Sequence, residues 1–312
     1  MAETLLSDTR LKGMIRLPGG PFRMGSDSHY PEEAPAHDVT VSGFWIDATP
    51  VTNRDFAAFV AATGHVTLAE VPPRAEDYPG ALPEMLVAAS MVFTPPPGPV
   101  SLRDWSQWWA WVPGAQWRHP TGPGSGIEGL MDHPVVHVAY EDALAYAQWA
   151  GKDLPTEAEW EYAGWGGGPP REYAWGDELV PAGRFMANTF QGVFPHANSC
   201  EDGWERTSPV GSFPANGFGL FDMIGNVWEW TQDWYAAGHE ATDCCAENPR
   251  GASIEGSYDP AQPAIRIPRK VLKGGSHLCA VDYCRRYRPA ARHAQTVDTS
   301  MSHIGFRCVV RG

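Results

Sequence analysis

Apolar residues recur at helical spacing in three short segments of the chain. In the first, Thr52 and Asp55 form the pair typical of a capping box, and apolar residues then follow three and four positions apart until Gly64. The second segment runs from about residue 140 to residue 150. The third begins with another capping-box pair and runs from about residue 156 to residue 163. The pattern therefore predicts three short amphipathic helices.

The rest of the pattern indicates short strands and irregular segments. Alternating runs such as Val39–Val41 lie between Gly and Pro residues, and Val135–Val138 predicts one more short strand. Residues 164–312 contain few helix signals, and residues 236–268 resemble a poorly ordered insertion. No linker or internal repeat divides the chain. We therefore expect an α+β fold in one irregular, loop-rich domain over residues 14–312, preceded by a flexible tail at residues 1–13.

Composition supports a loop-rich domain that is held together by aromatic packing. The 312 residues include 33 Gly, 29 Pro and 14 Trp. Four of the tryptophans cluster in one stretch: Trp105, Trp108, Trp109 and Trp111. We favour a place in the core for them, because aromatic side chains dominate core burial. The alternative is a wall that binds a peptide.

Charge and hydropathy narrow the choice of partners. The net charge of −14 argues against nucleic acid or an anionic membrane as a partner and suits a positively charged peptide. No apolar run is long enough to span a bilayer, and residues 1–13 lack the apolar segment of a secretory signal. We therefore expect a soluble, cytoplasmic protein.

The candidate chemistry lies in Lys273–Arg288, where Cys279 and Cys284 follow a Gly-Gly pair. Side chains five residues apart face different ways in a strand or a helix, so the two sulfurs meet only if the backbone loops. Three interpretations are open: two separate buried cysteines, a disulfide or redox dithiol, and a two-thiolate metal site. Thiolates select Cu(I), zinc or iron–sulfur clusters. Zinc would need a further ligand from among His277, His293 and His303.

Several motifs together give a family resemblance. They are Leu17-Pro-Gly-Gly20, Gly20–Gly25, Pro50-Val-Thr-Asn53, His133-Pro-Val-Val-His137, Leu154–Tyr162, Gly225–Trp230, Lys273–Arg292 and Ile304-Gly-Phe-Arg-Cys308. With these motifs the chain resembles the formylglycine-generating enzymes, also called sulfatase-modifying factors, over nearly its whole length. The resemblance implies that family's irregular variant of the C-type-lectin-like fold.

The resemblance also implies a copper-dependent oxidase that converts a sulfatase cysteine to Cα-formylglycine with O2 as co-substrate. In such an enzyme Cys279 and Cys284 would hold Cu(I), and Ser276, Trp228 and Tyr283 would line the site. The substrate would be an unfolded or nascent sulfatase polypeptide with a Cys-x-Pro-x-Arg motif. Its arginine would be drawn to the acidic protein.

Two further residue sets match the family's structural calcium sites. Taken alone, their carboxylates and amides are typical of turn caps as well, although irregular loops rich in oxygen atoms suit Ca2+. The resemblance implies Asn188, the Thr189 carbonyl, Asp202 and the Trp204 carbonyl for the first ion. It implies Asp222, the Gly225 and Val227 carbonyls and Glu229 for the second.

Other positions depart from the family pattern. Secretory relatives bridge the cysteine that matches Cys308 to a position that is Ala147 here, and a second bridge would need cysteines where Gly164 and Pro289 stand. Both losses fit a reducing compartment. Further departures, at His277, His303 and the segment His293–Ser300, concern the fit of the substrate.

Some residues receive a structural role or none. We expect the basic residues Arg286, Arg288 and Arg292 to pair with carboxylates. The vicinal pair Cys244-Cys245 lies inside the polar insertion, and we assign it no role.

Three alternatives stand beside the oxidase. A non-catalytic binding module of the same fold need not keep Cys279 and Cys284. An iron-dependent sulfoxide synthase of ergothioneine biosynthesis shares the fold but carries an N-terminal helical domain, which we do not expect because the shared fold begins by about Leu17. A thiol–disulfide protein would use the cysteine pair without metal.

Overall fold

The computed structural model describes residues 9–78, 80–239 and 246–312. Within these residues the chain forms three α-helices, which confirm the three predicted from the pattern. Their bounds are Asn53–Thr63 (α1), Tyr140–Trp149 (α2) and Glu157–Trp165 (α3). Between them lie short strands and long irregular segments, so the α+β class is confirmed.

Local capping explains where α1 and α3 begin. The Thr52 hydroxyl accepts the Asp55 N–H at 3.2 Å, and the Asp55 carboxylate accepts the Thr52 N–H at 3.2 Å. Thr156 and Glu159 make the same two bonds ahead of α3. These bonds satisfy N–H groups that have no partner inside a helix. Gly64 then ends α1 in the left-handed conformation, with φ of 70°.

Short strands make up most of the remaining regular structure. Their bounds are Met14–Leu17 (β1), Gly20–Met24 (β2), His37–Val41 (β3), Phe44–Asp47 (β4), Ala89–Phe93 (β5), Trp109–Pro113 (β6), Gly192–Val193 (β7), Ala197–Asn198 (β8), Trp228–Trp234 (β9), Ala246–Glu247 (β10), Arg269–Lys273 (β11), Arg292–Thr296 (β12), Ile304–Gly305 (β13) and Val309–Arg311 (β14). The sheets are β1–β4–β14, β10–β3–β2, β12–β11–β9–β13, β5–β6 and β7–β8. Strand β3 confirms the strand expected around Val39–Val41.

The four-stranded sheet positions the candidate site. β11 pairs antiparallel with both β12 and β9, and β9 pairs in parallel with β13. Because β11 ends at Lys273, the Gly-Gly pair and the cysteine loop begin where this central strand stops.

The strand predicted at Val135–Val138 is wrong. Val135 donates its N–H to the Val51 carbonyl at 2.9 Å, and His137 donates to the Met301 carbonyl at 3.0 Å, so this segment bonds to loops. His137 has φ of 60°, which a regular strand cannot contain. The apolar run that resembles a strand in sequence reflects burial on every side rather than sheet pairing.

Buried ion pairs cross the core and fix the segments around the site. They are Arg288 with Glu33, Arg292 with Glu157, Arg307 with Glu229 and Lys273 with Glu161. All eight side chains are at most 5% exposed. The predicted pairing of arginines with carboxylates is therefore confirmed for Arg288 and Arg292. Removing one partner of such a pair leaves an uncompensated buried charge, which costs about 3–5 kcal/mol.

The tryptophan cluster divides between the core and the surface. Trp108 is 1% exposed, and Trp109 and Trp111 in β6 are half-buried, whereas Trp105 is 59% exposed. The core interpretation is therefore confirmed for Trp108 and wrong for Trp105.

Some expectations fall on residues that the structure does not describe. Residues 1–8 of the expected tail lie outside the described residues, as does Cys244-Cys245, while Thr9–Leu11 forms a 3-10 helix. After residue 245, β10 pairs with β3, and Glu255–Ser257 forms another 3-10 helix. Across the described ranges, no helix has the length and apolar character needed to cross a membrane.

Candidate active site

A glycine turn and a looped backbone bring the two cysteines together. Gly275 has φ of 73°, and a Cβ atom there would lie 2.9 Å from the Arg286 carbonyl, so a side chain would both strain and crowd the turn. The N–H of Cys279 donates to the Ser276 carbonyl at 2.9 Å, and that of Cys284 to the Ala280 carbonyl at 2.9 Å. The backbone thus loops between the two cysteines, as it must if their sulfurs are to meet.

The two sulfurs are free and in contact. Cys279 Sγ lies 3.3 Å from Cys284 Sγ, and neither forms a disulfide. The thiol hydrogen bond from Cys279, helped by the Arg286 guanidinium, lowers the pKa of the Cys284 thiol to about 6. Burial raises the pKa of the Cys279 thiol well above its usual value. The pair therefore holds one proton and one negative charge near neutral pH.

Arg286 supplies the positive charge beside the sulfurs. Its Nη1 lies 4.0 Å from Cys284 Sγ, and its Nη2 lies 2.5 Å from Glu32 Oε1. The guanidinium also lies over the Tyr30 ring, 3.8 Å from the centroid. The expected carboxylate pairing is confirmed for Arg286, and the residue contacts the reactive pair as well, which sequence reasoning missed.

An aromatic wall stands beside Cys284. Tyr283 stacks on Phe194 with 4.4 Å between centroids and an interplanar angle of 1°, and it meets Trp108 edge-on at 5.5 Å. We call Trp108, Phe194 and Tyr283 the aromatic wall. Burial raises the pKa of Tyr283, so its hydroxyl remains protonated at neutral pH. At 40% exposure, Tyr283 is the member that faces solvent.

The other two predicted site residues, Ser276 and Trp228, are both buried. Ser276 is fully buried, and its hydroxyl accepts the Leu278 N–H at 3.2 Å within the cysteine loop. Trp228 belongs to the same buried cluster as Cys279 and lies 5.7 Å from the His293 ring, centroid to centroid. The structure thus brings Cys279, Cys284 and Tyr283 into one place, with Ser276 in the supporting turn.

The first predicted calcium set is rich in oxygen atoms. Asn188 Oδ1 is buried and has no hydrogen-bond partner among the described residues, while its amide donates to the Arg206 carbonyl at 2.9 Å. The Gln191 amide bridges the Thr189 carbonyl and the Asp202 carboxylate. The Trp204 N–H donates to the same carboxylate at 3.0 Å. A buried oxygen without a partner, in a set that also contains a carboxylate, fits a hard cation.

The second predicted calcium set is more constrained. Asp222 is buried and accepts the Gly211 N–H at 2.7 Å, and burial raises its pKa to about 6. Glu229 already accepts two bonds from Arg307, at 2.7 and 2.8 Å, and one from Trp160 at 2.7 Å. Asp222 therefore has free lone pairs for a cation, whereas at Glu229 a cation would share oxygens with Arg307.

Histidines surround the site without joining the cysteines. Burial lowers the pKa of His277 to about 4, and its Nδ1 lies 2.8 Å from the Asn226 carbonyl oxygen. Its Nε2 has no partner, nor has Nδ1 of His303. Within the ranges that the structure describes, no three His, Cys, Asp or Glu side chains are grouped as metal ligands. The zinc interpretation, which needed a histidine beside the two cysteines, is therefore not supported.

Comparison with known protein families identifies the family to which this fold and these sequence motifs belong. Residues 2–312 match the family model described as "Sulfatase-modifying factor enzyme 1-like domain". The chain belongs to the sulfatase-modifying factor family. The motif-based assignment is thus confirmed, and so is the irregular α+β fold.

Relatives place the chain within the sulfatase-modifying factor family. It is 56% identical over 303 residues to the Formylglycine-generating enzyme of Mycobacterium tuberculosis. The aligned region covers 96% of this chain and 98% of that protein. It is 37% identical over 311 residues to the Inactive C-alpha-formylglycine-generating enzyme 2 of Bos taurus, which covers 97% and 89%. The family therefore includes a protein named as inactive, and activity must be argued from the site.

A solved structure shares the fold. PvdO from Pseudomonas aeruginosa aligns with a TM-score of 0.59 and 26% sequence identity, covering 96% of this chain and 94% of that one. The shared fold therefore extends over nearly the full length of both chains. The fold that positions the cysteine loop in this chain is thus also the fold of PvdO.

The contacts of Tyr283 with the other two wall residues could not be identified from the sequence, although the tryptophan cluster that includes Trp108 has a peptide-binding wall as its alternative interpretation. Trp108 and Phe194 are 175 and 89 positions before Tyr283, yet both contact its ring. Nothing in their local patterns links them to Tyr283. The contact follows from the tertiary arrangement, in which the Phe194 N–H donates to the Asp282 carboxylate at 3.2 Å.

Proposed function

We propose that this protein oxidises the cysteine of a Cys-x-Pro-x-Arg motif in sulfatase polypeptides to Cα-formylglycine, with Cu(I) as cofactor and O2 as acceptor. The observation that carries the proposal is the pair of free sulfurs of Cys279 and Cys284, 3.3 Å apart, in a chain of this family. A non-catalytic binding module would have no need for two free thiols in contact.

The overall reaction balances with an external reductant. The substrate C–S bond breaks and a C=O bond forms at the same carbon. One molecule of O2 is consumed together with two reducing equivalents from an added thiol, and the sulfur leaves as hydrogen sulfide while one water forms. The carbon is thereby oxidised from the thiol to the aldehyde level.

The two thiolates fit a soft monovalent metal. Cu(I) prefers sulfur ligands, and Cys279 and Cys284 offer two sulfurs with one proton between them. When bound, copper would supply a soft Lewis acid for the substrate sulfur and a centre that activates O2. Arg286 lies 4.0 Å from Cys284 and offsets the negative charge of the thiolates.

The surrounding residues shape the site. Tyr283 and Phe194 of the aromatic wall would exclude water on the side of Cys284, because their rings stack face to face. Trp228 and Ser276 would hold Cys279 from the buried side, the first by packing and the second through its turn. A reacting polypeptide would approach past the exposed edge of Tyr283.

We also propose that calcium ions stabilise the two loops behind the site. The buried, unpartnered Asn188 Oδ1 supports the first ion, together with the Asp202 carboxylate and the Thr189 and Trp204 carbonyls. Asp222 supports the second, with the Gly225 and Val227 carbonyls and a shared Glu229. Their role would be to fix chain segments that lack sheet or helix bonding.

We further propose that the protein works in the cytoplasm. Cys308 is free and fully buried, and the position that would bridge it in secretory relatives is Ala147. Cys279 and Cys284 must also stay reduced to bind copper. A reducing compartment meets both conditions.

Mass spectrometry of a synthetic peptide tests the proposed function. A peptide with Cys-x-Pro-x-Arg is incubated with protein, Cu(I), O2 and excess thiol reductant, and the cysteine should become an aldehyde that hydrazine reagents trap. The matched control variant is Cys200→Ser, because Cys200 is a free cysteine that does not belong to the pair. An unchanged peptide under all copper conditions would contradict the oxidase. Conversion without copper would contradict the copper assignment, and a Cys279–Cys284 disulfide as the sole product would favour a thiol–disulfide function.

A further inference from the structure

A cavity of 370 Å³ lies against the cysteine loop. Val281, between the two cysteines in sequence, lines the cavity and is 58% exposed. Phe190 lines it from the adjacent segment, and its N–H donates to the Cys279 carbonyl at 3.0 Å. The cavity and the reactive pair therefore share two chain segments. We call it the Val281 cavity.

The lining of the Val281 cavity is mainly apolar. Leu179, Val180 and Phe185 line it together with Val281 and Phe190. Glu201 is the single charged side chain among the residues that line it, and no basic residue does. Its carboxylate accepts the Ser199 hydroxyl at 2.9 Å, which leaves further lone pairs free. A volume of this size lies in the range of about 300–1,000 Å³ that is typical of ligand pockets.

We propose that the Val281 cavity is a specificity subsite that receives an apolar side chain of the substrate polypeptide, next to the cysteine that reacts. The proposal rests on the proposed function, because it requires a polypeptide whose cysteine reaches Cys279 and Cys284. Val281 is two residues from Cys279 in the chain, and two residues span at most about 7 Å, so Val281 lies within reach of residues one to three positions from the substrate cysteine. Glu201 makes an acidic neighbour unfavourable there and a basic one favourable.

Kinetics with a set of peptides tests the subsite. The Cys, Pro and Arg of the motif are kept, and Leu, Ala and Asp are placed in turn at the three positions before the cysteine and at the two variable positions of the motif. With wild-type protein, one position should show kcat/KM for Leu about tenfold or more above Ala, since a hydrophobic pocket discriminates by about 10–200-fold per group. Asp at that position should be poorer than Ala.

Two variants and one control test whether the peptide preference arises in the cavity or elsewhere on the protein surface. Val180→Trp fills the cavity and should reduce the Leu-to-Ala ratio to about one, while activity on the Ala peptide stays. The matched control is Val193→Trp, because Val193 is 53% exposed on the neighbouring β7–β8 hairpin and does not line the cavity. Glu201→Lys should leave the Leu preference and remove the penalty for Asp. A melting curve for each variant confirms that it is folded.

Binding without chemistry distinguishes this proposal from the proposed function. Peptides whose reactive cysteine is replaced by serine are titrated calorimetrically, and the same position should prefer Leu in wild type but not in Val180→Trp. If binding shows this pattern while no peptide is oxidised, the subsite stands and the oxidase fails. If peptides are oxidised but no position prefers Leu by more than twofold, or if Val180→Trp keeps the preference, the subsite is overturned. If the peptides are neither oxidised nor bound, both proposals are overturned.

Discussion

The two cysteine sulfurs have different surroundings although they touch. Cys279 is packed in the largest buried cluster with Trp228 and Tyr287, whereas Cys284 is only half-buried and faces Arg286. The pair therefore has a fixed, dry member and a member that an approaching polypeptide can reach. This asymmetry suits a site in which a metal is bound on the buried side, at Cys279, and a substrate approaches from the solvent side, at Cys284.

Replacing either cysteine should abolish the proposed chemistry. We expect Cys279→Ser and Cys284→Ser each to lower turnover by more than about a hundredfold, because even the outer partners of metal ligands cost about 10–100-fold when they are changed. Each variant should also lose tight Cu(I) binding, measured by competition with a chromogenic chelator. Cys200→Ser serves as the control and should keep both properties. Full copper affinity in either site variant would show that the metal binds elsewhere, and Cys308 would be the first candidate ligand.

Arg286→Gln should destabilise the protein in a manner that depends on pH. Burial alone would raise the pKa of Glu32, but the hydrogen bond and charge of Arg286 hold it below the ordinary 4.5. The stabilisation from this pair is therefore complete above pH 4.5 and is lost as the pH falls through the lowered pKa. We expect a loss of about 1–3 kcal/mol at pH 7, measured by urea unfolding. The difference from wild type should shrink below pH 4.5, and a constant difference from pH 7 to pH 3 would contradict this account.

At the scale of elements, the two predicted calcium loops pack directly on each other. The Asn226 N–H donates to the Asn188 carbonyl at 2.9 Å, and a Cβ atom on Gly225 would lie 2.3 Å from that same oxygen. The first set therefore contacts the second through backbone atoms. An ion bound in either loop would help to hold the other, and the second set reaches into the sheet strand that carries Trp228, because Glu229 lies in that strand.

Calcium removal should lower stability more than it changes the chemistry. An ion present at a hundred times its Kd stabilises the native state by about 2.7 kcal/mol, so chelation should lower the melting temperature by several degrees. Asp202→Ala should abolish most of that response. Asp38→Ala is the control, because Asp38 is exposed and pairs only with Arg23, at 3.4 Å. A wild-type melting temperature that is insensitive to chelator would remove the calcium assignment.

Elements with local signals could be predicted from the sequence, and those fixed by distant contacts could not. The helices after Thr52 and Thr156 carry their own capping bonds, so their starts are encoded within a few residues. Val135–Val138 has no such signal, and its apolar run predicts a strand that does not form. The five-residue spacing of the cysteines predicts a looped backbone only on the condition that the two sulfurs meet. Its contacts with Trp108 and Phe194 depend on tertiary folding alone.

The whole molecule has a net charge of −14, and many of its arginines are already paired. Arg286, Arg288, Arg292 and Arg307 each bind a carboxylate of the protein itself. The excess negative charge therefore lies on other acidic groups, many of them at the surface. Such a surface attracts a basic peptide from solution, and the attraction weakens as salt increases.

The substrate arginine should matter for binding. Truncating one partner of a partly desolvated ion pair costs roughly 2–5 kcal/mol, so changing the peptide arginine to alanine should raise the apparent KM strongly. Lysine should rescue only in part, because it lacks the planar guanidinium. Steady-state kinetics of the three peptides checks this. Equal turnover of the arginine and alanine peptides at low concentration would leave a copper oxidase of some other cysteine-containing substrate.

X-ray absorption at the copper edge tests the central claim most directly. In the protein loaded with one Cu(I), the account predicts two sulfur neighbours from Cys279 and Cys284, and a third sulfur when a Cys-x-Pro-x-Arg peptide is added. Replacing the peptide cysteine with serine should keep the count at two. Nitrogen or oxygen neighbours in place of sulfur, or a sulfur count that stays at two in the Cys279→Ser/Cys284→Ser double variant, would contradict the account.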